Sequence, residues 1–313
     1  MALIFVIYVH QGCSSSGFRL LSSPVKIPLF FAITGYVFNE ERRDPRAFAG
    51  RLLRGLVAPW LALGLLGTLA VSVLTGISAL PARLIELLTG EGAWYMPCCI
   101  VAECLWFLIL KYGRNAAGIC CATLAAFGLG LLAARFDLLN LWMINRALIA
   151  QAWILVGWLL RHYGDRLKRL GWKAPAAAAI LYIALACVSH ALYPGKSIDV
   201  HLNRYYSLPI CLAMVVVGNA ALFTAFGGHL KRIPRAVSWF GQNTLVIYMV
   251  HNYTVRLPAH LLKFAGLPIN PPLALAAMLP VCAFYMLVAA GINRFAPVLA
   301  GRAAPARKGR PIS

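Results

Sequence analysis

Along nearly the whole chain, apolar runs of about 20 residues alternate with short polar or basic joints, as expected of helices that cross a hydrocarbon layer about 30 Å thick. Ten runs are marked by this pattern: the start to about residue 11, then roughly 24–39, 52–76, 94–112, 115–134, 139–161, 174–193, 206–227, 243–261 and 272–294. Lipid offers no water to bond backbone N–H and C=O groups, so such runs span as helices. The pattern predicts an all-α fold, a polytopic transmembrane bundle of about ten helices. One membrane domain covers 1–300, and a basic Pro/Ala/Arg tail, 301–313, is expected to be disordered.

The first run departs from the pattern. In "MALIFVIYVHQGCSSSG" the apolar residues extend only from Ala2 to Val9 before His10 and a Ser-rich stretch, whereas a span needs about 20 residues. The expectation is a truncated first helix, with the true start upstream or the copy shortened. No A-x-A-like cleavage site follows a charged start.

Composition agrees with the pattern. At 61% hydrophobic and 12% charged residues, the chain lacks the polar surface of a soluble domain of this size. A net charge of +20 would also suit a nucleic-acid partner, but its placement argues otherwise. Nine of the 29 Lys and Arg fall in the odd-numbered joints or near span ends on that side, and twenty in the even-numbered joints and the tail. The positive-inside rule then puts both termini in the cytoplasm. Membrane lipids, not nucleic acid, are the expected surroundings. Cys98-Cys99 and Cys120-Cys121 are adjacent pairs inside helical runs without C-x-x-C or His-rich spacing; they read as small packing residues, and no metal is expected.

Polar residues at membrane depth are costly, so they point to chemistry. His10 ends the first run; a neutral imidazole there suits a general base acting on an alcohol, and an interfacial histidine would look the same. In "KIPLFFAITGYVF", Thr34 and Gly35 place a hydroxyl beside a backbone that permits close approach of a helix or a long ligand. Arg51 and Arg54, spaced i, i+3, share one helix face at a membrane entry, where a forked pair would bind phosphates or anchor lipid headgroups. Glu103 sits near the middle of its run and must be paired, protonated or wetted. In "SWFGQNTLVIYMVHNYTVR", Gly241 to Thr244 reads as a turn and helix start, with Asn243 as the cap and His251 two turns beyond Thr244.

Taken in order, these stretches resemble the acyltransferase-3 family of bacterial inner-membrane O-acyltransferases, within it the fucose 4-O-acetylase-like branch. Val6 to His10 stands for the family's "V-x-x-x-H", and Pro28 to Tyr36 for "P-L-F-F-x-x-S-G-Y". Arg51 to Arg54 matches R-x-x-R, Trp94 to Glu103 matches "W-F-L-P-x-x-x-x-x-E", and Gly241 to His251 matches "G-x-N-[ST]-L-x-I-Y-x-x-H". "SIDVHLNRYYSLP" looks like the branch's outer D…N-x-Y segment. Thr34 replaces the usual Ser, and Tyr95 and Met96 replace Phe and Leu. The family's Arg or Lys eleven positions before the histidine would fall ahead of Met1.

The resemblance implies transfer of an acyl group, usually acetyl, from cytoplasmic acetyl-CoA to a hydroxyl of a surface or exported sugar. No bound cofactor is implied; acetyl-CoA is the donor substrate. By position His10 is the essential histidine, and Arg51 and Arg54 are the pair at the CoA side. The mechanism expected from these residues has Arg51 and Arg54 holding CoA phosphates, His10 as general base, Glu103 orienting an imidazole or stabilising its cation, and Thr34 donating near the carbonyl. Asp199, Arg204 and Tyr205 are the candidate acceptor contacts. A transporter or flippase of a lipid-linked saccharide is the competing class, since it too needs buried polar residues around a cavity.

Overall fold

In a computed structural model of the chain, residues 2–10, 14–38, 44–226, 234–254, 262–267 and 270–301 are described. They are almost entirely helical: α1 Ala2–Val9, α2 Ser16–Ser22, α3 Ile27–Val37, α4 Pro45–Leu52, α5 Ala58–Thr75, α6 Leu80–Thr89, α7 Tyr95–Tyr112 and α8 Ala116–Arg135. The second half adds α9 Ile144–Lys168, α10 Lys173–Leu192, α11 Leu208–Thr224, α12 Arg235–Gln242, α13 Thr244–Tyr253 and α14 Pro271–Phe295. Extended pairing among the described residues is limited to a single bridge between Asp199 and Arg204. The predicted tail beyond Gly301 and the charges at Arg42, Arg43, Lys231, Arg232 and Arg256 lie outside the described residues.

Helix starts follow short-range chemistry. Asp44 accepts from the N–H groups of Arg46 and Ala47 ahead of Pro45, and Asn115 and Asn270 cap α8 and α14 in the same way. Gly90 ends α6 at φ 89°, a left-handed turn that brings its backbone against Pro97 and Trp142.

Seven described helical segments are long and apolar enough to cross a membrane: Ser16–Val37, Pro45–Thr75, Tyr95–Tyr112, Ala116–Arg135, Leu141–Leu167, Lys173–Leu192 and Pro272–Phe295. They correspond to the second to seventh and the tenth of the apolar runs, so among the described residues seven of the expected ten or so are long enough to span. The eighth run is the shorter apolar helix α11, 17 residues long. The first and ninth hold α1 and α13, of 8 and 10 residues, about 12 and 15 Å of helix. Both are interior pieces: Leu3, Val6 and Ile7 of α1, and Val246, Ile247 and Met249 of α13, are buried.

The centre of the bundle is α9, which packs against α3, α7, α8 and α11. Two-thirds of its apolar window is buried, against 17% for α10, which faces outward with Ile180, Leu181 and Ile183 exposed. Contact between α3 and α9 is backbone to backbone, because a Cβ on Gly35 would overlap the Ile154 carbonyl and one on Gly157 the Ala32 carbonyl. Gln151, fully buried on α9, donates to the carbonyls of Ala102 and Ala147, tying α9 to α7.

This packing defines two ends. At one, Arg161 of α9 donates to the Tyr36 and Phe38 carbonyls at the end of α3, and Phe48 stacks on Phe107 at 4.3 Å. At the other, Arg146 at the start of α9 donates to the His201 carbonyl at 2.8 Å.

Candidate active site

His10 follows α1 directly, its N–H bonded to the Val6 carbonyl at 3.3 Å, so the ring projects from the last turn of a helix whose other face is buried. Its ring lies 5.4 Å, centroid to centroid, from that of His251. His251 is 2% exposed, and its Nδ1 has no hydrogen-bond partner among the described residues. On the other side His251 meets Tyr285 at 6.2 Å, whose hydroxyl pairs with Thr254 Oγ1 at 3.0 Å. Asn252 pins the same stretch by donating to the Gly92 carbonyl at 2.7 Å. Lys26, His201 and Asp199 are the charged or titratable groups acting on His10. His201 packs on the Trp94 indole at 4.9 Å; desolvation there lowers its pKa below the ordinary histidine value, with Asp199 opposing and Arg146 adding to the shift.

Below the histidines is an apolar cavity of about 210 Å³. Leu3 and Val6 of α1 and Thr244, Leu245 and Tyr248 of α13 form two of its walls. These two helices carry His10 and His251 one turn further on, so the cavity leads up to the imidazole pair. Thr34 and Glu103 bring the polar side chains of α3 and α7 to the remaining wall, beside Phe30 and Tyr95. Thr34 Oγ1 also donates to the Phe30 carbonyl at 3.2 Å. The opposing charge acting on Glu103 is that of Arg51, whereas Glu103 is not among the groups acting on His10.

Arg51, on α4, acts on Glu103 of the cavity wall without lining the cavity itself. Its guanidinium lies over the rings of Phe38 and Phe48, at 5.3 and 5.6 Å. Arg54 is exposed and its Nε donates back to the Gly50 carbonyl at 3.0 Å. From Leu53 to Val57 the chain winds as a π-helix, the wider turn often found at functional sites; Arg54 and Leu56 both lie within it, and Leu56 lines the cavity.

The acceptor candidates separate on inspection. Asp199 and Arg204 exchange backbone hydrogen bonds at 3.1 and 2.8 Å, and Asp199 Oδ1 accepts from the Leu202 N–H at 3.0 Å. Asp199 thus closes a tight turn, and Arg204 is exposed. Tyr205 instead turns its hydroxyl inward. Asn243 occupies the cap position of α13 without capping it: its Nδ2 donates to the Trp239 carbonyl at 2.7 Å and its Oδ1 accepts from Asn293. The side chain spans to α14 instead, because Asn293 offers a buried amide partner.

Lys26, Arg146, His201 and Tyr285 were not singled out from the sequence as site residues. Arg146 and Lys26 entered only as joint charges, and His201 lay inside the quoted 197–209 segment. A polar residue within a few positions of a span end was the available signal. The eight described cysteines are free thiols, and among the described residues no three His, Cys, Asp or Glu side chains group as a metal site.

A multi-pass helical membrane protein, with an imidazole pair one turn beyond two helical walls of an apolar cavity and an arginine acting on the glutamate of that cavity, is the class defined here. The profile of the acyltransferase-3 family, described as an acyltransferase domain, matches residues 1–290, and the chain belongs to that family. It is a membrane acyltransferase. No curated protein and no solved structure matches the chain.

Proposed function

We propose that this acyltransferase moves an acetyl group from acetyl-CoA to a hydroxyl of a surface or exported sugar, across a bacterial inner membrane, in the manner of the fucose 4-O-acetylase-like branch. The observation that carries the reading is the cavity lined by Thr34 and Glu103, whose α1 and α13 walls carry His10 and His251 one turn further on and whose Glu103 is acted on by Arg51.

A thioester carbonyl is already activated, so the protein has to position it, take a proton and stabilise the oxyanion. Arg51 and Arg54 hold phosphates of the nucleotide, and the long, largely apolar pantetheine arm occupies the cavity. His10 removes the proton of the acceptor hydroxyl as its oxygen attacks the acyl carbon. The carbon–sulfur bond breaks, and the proton passes from His10 to the departing CoA thiolate, so ester and thiol are the products. Thr34 donates toward the carbonyl region. Glu103 balances the charge of Arg51 within the low-dielectric cavity, and His251 fixes the plane of the His10 ring.

Membranes carrying the chain are expected to transfer label from acetyl-CoA to polysaccharide. In His10→Ala, labelled product is expected to disappear while the protein still inserts and folds. Retained transfer would remove His10 from the mechanism. Saccharide transport without any transfer would replace the reading with that of a lipid-linked saccharide flippase.

A further inference from the structure

At the Arg146 end of the bundle, a second cavity of about 380 Å³ opens between the end of α8, the start of α9 and the 198–208 loop. Its lining is polar, with Arg135, Asp137, Arg146, Asn203 and Tyr205 contributing side chains. Asn203 Oδ1 and the Tyr205 hydroxyl are buried and have no hydrogen-bond partner among the described residues. Buried polar atoms are nearly always satisfied, and a ligand that satisfies them recovers free energy the folded chain forgoes.

The charges of the cavity are unequal. Arg146 donates from Nε to the His201 carbonyl and from one terminal nitrogen to Asn140 Oδ1 and Asn145 Oδ1, at 2.8, 2.8 and 2.9 Å. All three acceptors are neutral, so these bonds orient the guanidinium; the carboxylates acting on it are Asp137 and Asp199. Arg135 adds a second guanidinium from the last turn of α8. Asp137 is the one carboxylate in the lining, and its Oδ1 accepts from Asn140 Nδ2 at 2.8 Å. Two cations thus face one anion.

The backbone here is held under strain. Among the described residues, the non-glycine positions of positive φ are Asp137, Leu139, Trp142, Met143 and Asn203, at 51° to 57°, and all five lie in the two loops at this cavity. Such conformations persist where surrounding structure enforces them, and they gather at ligand sites. The cavity also connects to the proposed base: His201, whose carbonyl holds Arg146, acts electrostatically on His10.

The geometry points to this cavity as the binding site of a sugar unit that carries a carboxylate, an inference that rests on the acetyl-transfer reading for its link to catalysis. Arg135 meets the carboxylate in forked hydrogen bonds, and Arg146 donates to it from the terminal nitrogen that its protein partners leave free. Asn203 Oδ1 accepts from a ring hydroxyl, and Tyr205 exchanges a hydrogen bond with another. An acidic acceptor unit held here is retained beside His10, and a neutral one leaves the guanidinium pair unused.

The test measures binding directly, on the full chain in lipid nanodiscs, with trigalacturonate and its carboxyl-reduced neutral counterpart as probes. The acidic probe is expected to bind about tenfold or more tightly than the neutral one. Tyr205→Phe removes only an unpartnered hydroxyl, and Asn203→Gly keeps a left-handed backbone while removing the amide oxygen. Each is expected to weaken the acidic probe about tenfold without lowering thermal stability. Arg135→Gln is expected to erase most of the preference for charge. Equal affinity for the two probes, or unchanged binding in both Tyr205→Phe and Asn203→Gly, would overturn the site. If the acidic probe binds as expected while His10→Ala still transfers acetyl groups, the site stands and the assignment of His10 fails.

Discussion

At the residue scale, the imidazole pair separates two roles. His10 is exposed, whereas His251 is enclosed between His10 and Tyr285. His251→Gln keeps a polar side chain of similar reach but loses the ring, so kcat is expected to fall about tenfold or more with the acetyl-CoA KM unchanged. Steady-state rates on both substrates check this; a loss of thermal stability alone would make His251 a packing residue. Arg51 and Arg54 also differ. Arg51→Lys keeps the charge but loses a planar group stacked on two aromatic rings, and a rise of about tenfold in acetyl-CoA KM is expected. Arg54→Lys, at an exposed side chain bonded to its own helix, is expected to change KM less. Initial rates over a range of acetyl-CoA concentrations distinguish the two.

At the element scale, the site depends on how closely α3 approaches α9. Gly35 and Gly157 let the two backbones touch, and this contact sets where Thr34 and Phe38 stand relative to α7 and α4. Gly157→Val would drive a branched side chain into the Ala32 carbonyl. Overpacking of this kind costs about 3 kcal/mol, so Tm in detergent is expected to drop by several degrees and acetyl transfer to fall with it. A tie to a further helix explains the direction of the effect: Gln151 bonds α9 to α7, which resists a shift of α9 away from α3. Short helices act differently. Neither α1 nor α13 is long enough to cross lipid, yet together they wall the cavity and present both histidines.

At the scale of the whole molecule, charge asymmetry and architecture make one prediction together. Arg51, Arg54, Arg161 and Arg166 cluster toward the end where α3 finishes, and the positive-inside rule assigns that end to the cytoplasm. In a background freed of native cysteines, a thiol introduced by Arg114→Cys is expected to react only with reagent supplied from the cytoplasmic side. One introduced by His201→Cys should react from the outside. Labelling with the sides reversed would invert the orientation and place the acceptor cavity in the cytoplasm. Leu279, Leu287, Val73 and Leu74, each more than 70% exposed, form the apolar exterior that only a lipid phase tolerates.

The sequence by itself determined the helical class, the membrane setting and most of the polar residues worth naming, because apolar runs, joint charges and buried ionisable groups are local properties of the chain. His10, Thr34, Arg51 and Glu103 were legible for that reason. Only the tertiary structure decided which of them share a cavity. The neighbours that Glu103 and His10 meet come from helices far apart in sequence: Arg51 acts on one, and His251 and His201 on the other. It also decided that Asn243 bonds across to α14 rather than capping α13, and that Arg146, counted in the sequence only as a charge, organises a cavity of its own. Spacing along one helix fixes a face, but what that face meets is set by packing between helices, and that information is distributed over the whole chain.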